Sequence, residues 1–173
     1  MNKEQLLERI LKKPEIHESA YVAPNATIVG SVKVGAQSTI WPGAVLRADE
    51  DDIVMGERSN VQDNAVVHQS VGLPAIIGDD VTIGHLANVH GCKIGNNVLI
   101  GMGAIVLDGA VIEDNVLVGA GALVAPNKTI PSGSLVVGNP GRIIRQLTEK
   151  EIEGICENAA EYVALGEAYQ NLE

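Results

Sequence analysis

Aliphatic residues recur at every sixth position through most of the chain. Ile16, Val22, Ile28, Val34, Ile40 and Leu46 open the series. Met55, Val61 and Val67 resume it, as do Ile77, Ile83 and Val89. Ile94, Ile100, Val106, Ile112, Val118, Val124, Ile130 and Val136 then follow without a gap. Six residues turn an α-helix through roughly 600°, which is not a whole number of turns, so no helical face collects them. A hexad repeat of this length reads as a parallel β-helix. The aliphatic points inward and short strands build the walls. Turn formers such as Ala36, Pro42, Asn60, Asp79, Asn96 and Asn115 make the corners. Three hexads close one triangular coil, and coils stack about 4.8 Å apart. Twenty hexads therefore predict six to seven coils. The absence of Phe and the 19 glycines fit thin layers of Val, Ile, Leu and Ala.

The ends break this pattern. Residues 1–13 place Leu6, Leu7, Ile10 and Leu11 at helical spacing, so a short helix is expected to cap the first coil. Residues 14–147 form the β-helix. In the last segment, 148–173, Thr148 is the expected N-cap and Glu151 completes a capping box. Ile152, Ile155, Ala159, Tyr162 and Val163 make an apolar stripe, so 148–170 reads as one helix packed along a face of the prism. The fold class is all-β, with a helix at each end.

The net charge of −10 argues against nucleic acid or an anionic membrane as partner, since both need a basic footprint. The opening MNKEQLLERILKKP has no long apolar stretch and so is not a signal peptide. No apolar run reaches the length of a membrane span, about 18 residues. The two cysteines, Cys92 and Cys156, lie far apart and offer no disulfide framework, which suits a reducing cytoplasm. Cys92 falls in a coil wall and reads as a small packing residue.

Three of the four histidines fall within residues 68–90. Their spacings, 17 and then 5, fit no single-helix metal motif. The hexad phase converts spacing into position. His68 follows Val67 and His90 follows Val89, and Val67 to Val89 is three hexads, or one coil. The two therefore share a column, about 4.8 Å apart at the backbone, and can converge on one ion. His85 sits two residues after Ile83, on another face, and cannot reach that ion within its own chain. A third ligand must then come from a neighbouring copy, and a ring of three prisms closes such a contact. The expectation is a homotrimer with a metal site at each interface. Arg47 extends the His68/His90 column by one coil. Gln62 and Asp63 lie one coil below His85. Asp49 and Glu50 fall in the first of three phase breaks. The breaks follow Leu46, Val67 and Val89; the first two insert residues, the third deletes one, and insertions are expected to be loops.

The segments VLRADEDDI, RSNVQDNAVVH, TIGHLANVHGCKIGNNVLIGMGAIVLDGAVI and VVGNPGRIIR together resemble the γ-class carbonic anhydrase family of hexapeptide-repeat proteins. The resemblance runs from about Ile16 to Tyr169. It implies a left-handed winding, a trimer, and Zn²⁺ held by His68 and His90 of one subunit and His85 of the next. Imidazole ligands accept Fe²⁺ or Co²⁺ as well. The resemblance makes Gln62 the residue that orients the metal-bound hydroxide, and Glu50 an acidic group near the metal. Arg47 and Asp49 become an interface pair, with Asp63 in support. Tyr162 stands where the family's prototype has an Asn that helps place substrate. The implied reaction is hydration of CO2 to bicarbonate. The prototype carries a long acidic loop with a shuttle glutamate after its first histidine; this chain has only QSVGLPA there. The expected activity is therefore weak, absent or dependent on another shuttle. Two other readings stand beside it. One is a CoA-dependent acyltransferase on the same scaffold, with Arg142 and Arg145 the only basic candidates for CoA. The other is a non-catalytic assembly subunit with a structural metal.

Overall fold

The computed structural model describes residues 1–172, and it is a stack of parallel coils flanked by two helices. One wall is a sheet of seven parallel strands: Tyr21–Val22, Thr39–Ile40, Asn60–Val61, Thr82–Ile83, Leu99–Ile100, Leu117–Val118 and Ser134–Val137. An antiparallel strand, Arg142–Gln146, closes its end. Seven rungs mean seven coils. The other two walls form one eleven-stranded sheet, because Thr27–Val34 and Val45–Met55 run through the corner between them.

The hexad aliphatics line the interior. Ile40, Leu46, Val61, Val67, Ile83, Val89 and Ile100 are fully buried. An inner set of alanines, among them Ala44, Ala65, Ala87 and Ala104, fills the space between them. The register follows the phase predicted from sequence: Val61 pairs with Ile83, Val67 with Val89, and Ile100 with Val118. Several corners place a non-glycine residue in the left-handed region, mostly Asn or Asp, as at Asn64, Asp80, Asn97 and Asn115. These residue types tolerate it best.

The phase breaks differ from expectation in part. The insertion after Leu46 is not a loop. Val45–Met55 is one continuous strand, paired with Val66–Val67 at one end and Ala75–Ile77 at the other. The extra residues are absorbed by a register shift opposite Gly30 to Val32. The acidic run stays in place because its three aspartates each find a donor. Asp49 binds Arg47, Asp51 accepts from the Gly72 N–H at 2.8 Å, and Asp52 accepts from Arg9 at 3.0 Å. The insertion after Val67 does form a tight turn, in which the Leu73 N–H donates to Ser70 O. Asn60, taken from sequence as a corner residue, lies instead on a wall strand and is fully buried.

Helix α1 (Lys3–Ile10) has the capping box Asn2/Gln5. It lies against the corner strands, tied by Arg9 to Asp51 and Asp52. It buries no residue fully, and Leu7, Ile10 and Leu11 remain exposed. The polar anchor, rather than the apolar stripe, sets its pose.

Helix α2 (Glu149–Gln170) is capped by Thr148 and Glu151 as expected. It runs along the seven-stranded wall, with Ile155, Ala159 and Gly166 buried. Tyr162 and Tyr169 pack on Trp41 with ring centroids 5.5 and 5.3 Å away. Tyr169 also meets Tyr21, at 5.6 Å. Gly166 allows the closest approach: a Cβ there would stand 2.4 Å from Thr39 Cγ2. Thr39 cannot yield easily, since it is buried and its hydroxyl accepts from Trp41 Nε1.

Gly154 on the same helix faces open space. Gly166→Ala should therefore cost about 1–3 kcal/mol through overpacking, against the helical preference for Ala. Gly154→Ala should gain up to about 1 kcal/mol. Thermal melts of the two variants check the opposite signs.

Candidate metal centre

Two groups of polar side chains form on two different walls. The first stands on the eleven-stranded sheet. His68 and His90 are direct register partners on neighbouring coils. His68 Nδ1 and His90 Nε2 face each other at 2.9 Å. Each ring's other nitrogen is held by a carboxylate. His68 Nε2 donates to Asp49 Oδ1 at 3.0 Å, and His90 Nδ1 donates to Asp108 Oδ1. Asp108 also accepts from Ser70 Oγ at 2.9 Å, and Asp49 binds Arg47. Partial burial pushes the Asp49 carboxyl up, but hydrogen bonds from His68 and Arg47 outweigh it and hold it below the usual carboxylate range. Asp108 is likewise held low, with His90 and Ser70 overcoming burial.

This arrangement has a chemical consequence. With both outer nitrogens donating to carboxylates, each imidazole turns a lone pair inward. Two lone pairs aimed at each other at this distance repel unless a cation lies between them. That cation is a shared proton or a metal ion. Two ligands of one tetrahedral ion at 2.0–2.1 Å stand about 3.3 Å apart, a few tenths of an ångström wider than the observed pair. Orientation of metal-binding imidazoles by carboxylates is the usual outer arrangement of such sites.

The second group stands on the seven-stranded wall. His85 Nδ1 lies 2.9 Å from Asp63 Oδ2. The His85 backbone N–H donates to Gln62 Oε1 at 3.1 Å. Gln62, His85 and Tyr162 line one cavity of about 330 Å³, whose floor is Gly84, Gly101 and Gly119 and whose sides include Leu99, Met102 and Leu117. Burial, with the nearby charges of Asp63 and Glu161, raises the Tyr162 phenol above its ordinary value, so its hydroxyl remains a donor. Next to His85, Leu86 adopts a left-handed backbone with φ of 61° and is 68% exposed. Met102, one coil on, is 59% exposed.

The structure thus brings Arg47, Asp49, His68 and His90 together, and separately gathers Gln62, Asp63, His85 and Tyr162. Among the described residues, no three His, Cys, Asp or Glu side chains of one chain converge as an ion would need. Glu50 joins neither group. It lines a cleft of about 470 Å³ between the corner strand and α1, with Glu8, Arg9 and Val71. Asp108 and Ser70 were not singled out from sequence. Asp108 sits two residues past an inward aliphatic, where corner-forming Asp and Asn also fall, so nothing in the pattern marked it. Ser70 belongs to the short turn after His68, so that turn reaches a carboxylate although it carries none.

The hexapeptide-repeat family model "Bacterial transferase hexapeptide (six repeats)" matches residues 13–48, 74–104 and 91–126. A protein of Methanocaldococcus jannaschii named "Probable carbonic anhydrase" is 52% identical over 90% of this chain and 98% of its own length. The chain belongs to the γ-class carbonic anhydrase family. The winding is accordingly that of the left-handed β-helix. "Gamma carbonic anhydrase 1, mitochondrial" of Arabidopsis thaliana is 45% identical over 91% of this chain, which spans 60% of that relative's length. A solved hexapeptide transferase family protein from Anaplasma phagocytophilum superposes with a TM-score of 0.87 at 43% identity, covering 90% of this chain and 92% of that one. No helix among the described residues is long and apolar enough to cross a membrane.

Cys92 stands two residues after His90 but is a core residue, 2% exposed. Burial and the charge of Asp108 push its thiol up to about 12. Cys156 is exposed on α2. Titration with a thiol reagent at neutral pH should therefore find one fast thiol per chain, which Cys156→Ser removes, and a second only after unfolding.

Proposed function

We propose that this chain hydrates CO2 to bicarbonate, at metal centres shared between neighbouring copies of a homotrimer. The observation that carries the reading is the facing pair of imidazole nitrogens of His68 and His90, each ring held from behind by Asp49 or Asp108. His68, His90 and the His85 of a neighbouring copy would hold the ion. Zn²⁺ fits this neutral nitrogen set, and Fe²⁺ or Co²⁺ fits it as well. Such an ion supplies Lewis acidity and lowers the pKa of water at its open position to about 7. The exposed Leu86 and Met102 beside His85 support a contact between copies there, since a packed neighbour would cover them.

The remaining roles fall to the chain's own groups. Gln62 Oε1 uses one lone pair on the His85 N–H, and its other can accept a hydrogen bond from a hydroxyl in the cavity that Gln62 lines. The Tyr162 hydroxyl can donate to a substrate oxygen. The leucine and methionine sides of the cavity suit CO2, an apolar gas. Proton release is the weak step. The turn after His68 has no carboxylate, and Glu50, next to Asp49 in sequence, faces the α1 cleft with Glu8. Slow hydration follows, limited by proton transfer.

The purified protein should carry about one metal ion per chain. His90→Ala should lose both the ion and the hydration rate; equal hydration by parent and His90→Ala would sink the reading. Asp108→Asn should weaken metal binding by about 10–100-fold while leaving the coils folded, as measured by chelator competition.

An acyl-CoA reading draws on the transferase name of the Anaplasma relative and on the apolar cavity beside His85. No Lys or Arg lines that cavity, so phosphates would find no cation there. Calorimetry with acetyl-CoA and metal-free protein should show no binding.

A further inference from the structure

The Gln62 amide is tied to a series of hydrogen bonds that ends on α2. Gln62 Nε2 donates to Asn60 Oδ1 at 3.1 Å, and Asn60 Nδ2 donates to Thr82 Oγ1 at 2.9 Å. Thr82 Oγ1 donates to Asn158 Oδ1 at 2.9 Å. Gln62, Asn60 and Thr82 are buried, at 5%, 0% and 2% exposure; Gln62 and Thr82 also border the cavity beside His85, while Asn60 lies behind it. The register places them together, since Asn60 and Thr82 pair across adjacent coils.

One backbone group sets the direction of the whole series. The His85 N–H can only donate, so the group facing it must be the oxygen of the Gln62 amide. The Gln62 nitrogen then faces Asn60, which must present its own oxygen. The Asn60 nitrogen in turn faces Thr82, whose hydroxyl accepts and passes its single proton onward. The last member must therefore be an acceptor. An oxygen at residue 158 satisfies it; a second donor there would reverse Thr82 and oppose the order that His85 imposes.

We propose that Asn158 is a positioning residue, whose side-chain oxygen locks the Gln62 amide through Thr82 and Asn60. The role assigned to Gln62 rests on the hydration reading above, but the relay itself does not. Removing the acceptor leaves the Thr82 proton without its protein partner, at the edge of the cavity. Within this series Thr82 can then recover a protein partner only by turning Asn60 around, which takes the partner from Gln62 Nε2.

The test follows the Gln62 side-chain NH2 of the metal-free protein by NMR. In Asn158→Leu its exchange with solvent should quicken about fivefold, the loss expected for one hydrogen bond of about 1 kcal/mol. Asn158→Asp keeps an acceptor and should restore the parent rate. Thr82→Val should quicken exchange as Asn158→Leu does, and stands in for it if the leucine variant does not fold. Parent-like exchange in Thr82→Val and in folded Asn158→Leu overturns the proposal, as does failure of Asn158→Asp to restore it. In the metal-loaded protein kcat for hydration should fall in Asn158→Leu with KM unchanged. Faster Gln62 exchange with hydration untouched would keep the relay and reject the place of Gln62 in the reaction.

Discussion

Backbone hydrogen bonds in this molecule run between coils. Val66 N donates to Ala87 O, Asn88 N to Ala104 O, and Ile105 N to Ala122 O. A residue's structural neighbours are therefore those 16 to 21 positions away in these links, and the inward aliphatic of each hexad keeps the links in register. Everything else depends on that alignment. It puts His68 over Val29's column mate Arg47 and under His90, and it sets Asn60 beneath Thr82. A one-residue slip would send the aliphatic row outward and scatter both polar groups. The interior is mostly Val, Ile and Ala, with Leu46 and Met55, because a triangular coil leaves little room for larger side chains.

The coil phase was legible because one residue type recurs at a fixed interval. That phase alone was enough to place the His68/His90 pair, the separate wall of His85 and the Arg47 column. The C-terminal helix was legible in its cap and stripe. What escaped was whatever depends on contacts between walls or between helix and wall. Asn60 looks like a corner residue, since Asn is common at corners, and only the covering α2 explains its burial. Asp108 and Ser70 meet across 38 residues, with no periodic signal linking them. The acidic run after Leu46 looked like a loop because insertions are normally expelled. Here donors on other segments, Arg9, His68 and the Gly72 N–H, keep it in the wall. The apolar spacing of α1 was a real helix signal, but spacing does not say which face meets the protein, and Arg9 decided that.

The two halves of the candidate centre differ in physical character. The His68/His90 half is built of charges, with carboxylates behind rings and Arg47 at the edge. The His85 half is nearly neutral at its cavity, with an amide, a phenol and aliphatic sides. A site that needs both a polarising centre and an apolar approach for a gas would draw one from each wall. The acidic surface beyond them bears on solubility more than on the reaction.

The run of α2 along the wall also bears on how the chain assembles during synthesis. Coils can stack one upon another as they leave the ribosome, because each needs only the coil before it. Their seven-stranded wall, however, stays uncovered at Tyr21 and Trp41 until residues 149–170 emerge. The closing bond, Gln170 Nε2 to Ala20 O, joins residues 150 positions apart. A nascent chain would thus hold a finished solenoid with its aromatic patch still open to other chains. Helix α2 both shields that patch and sets the final acceptor behind Gln62.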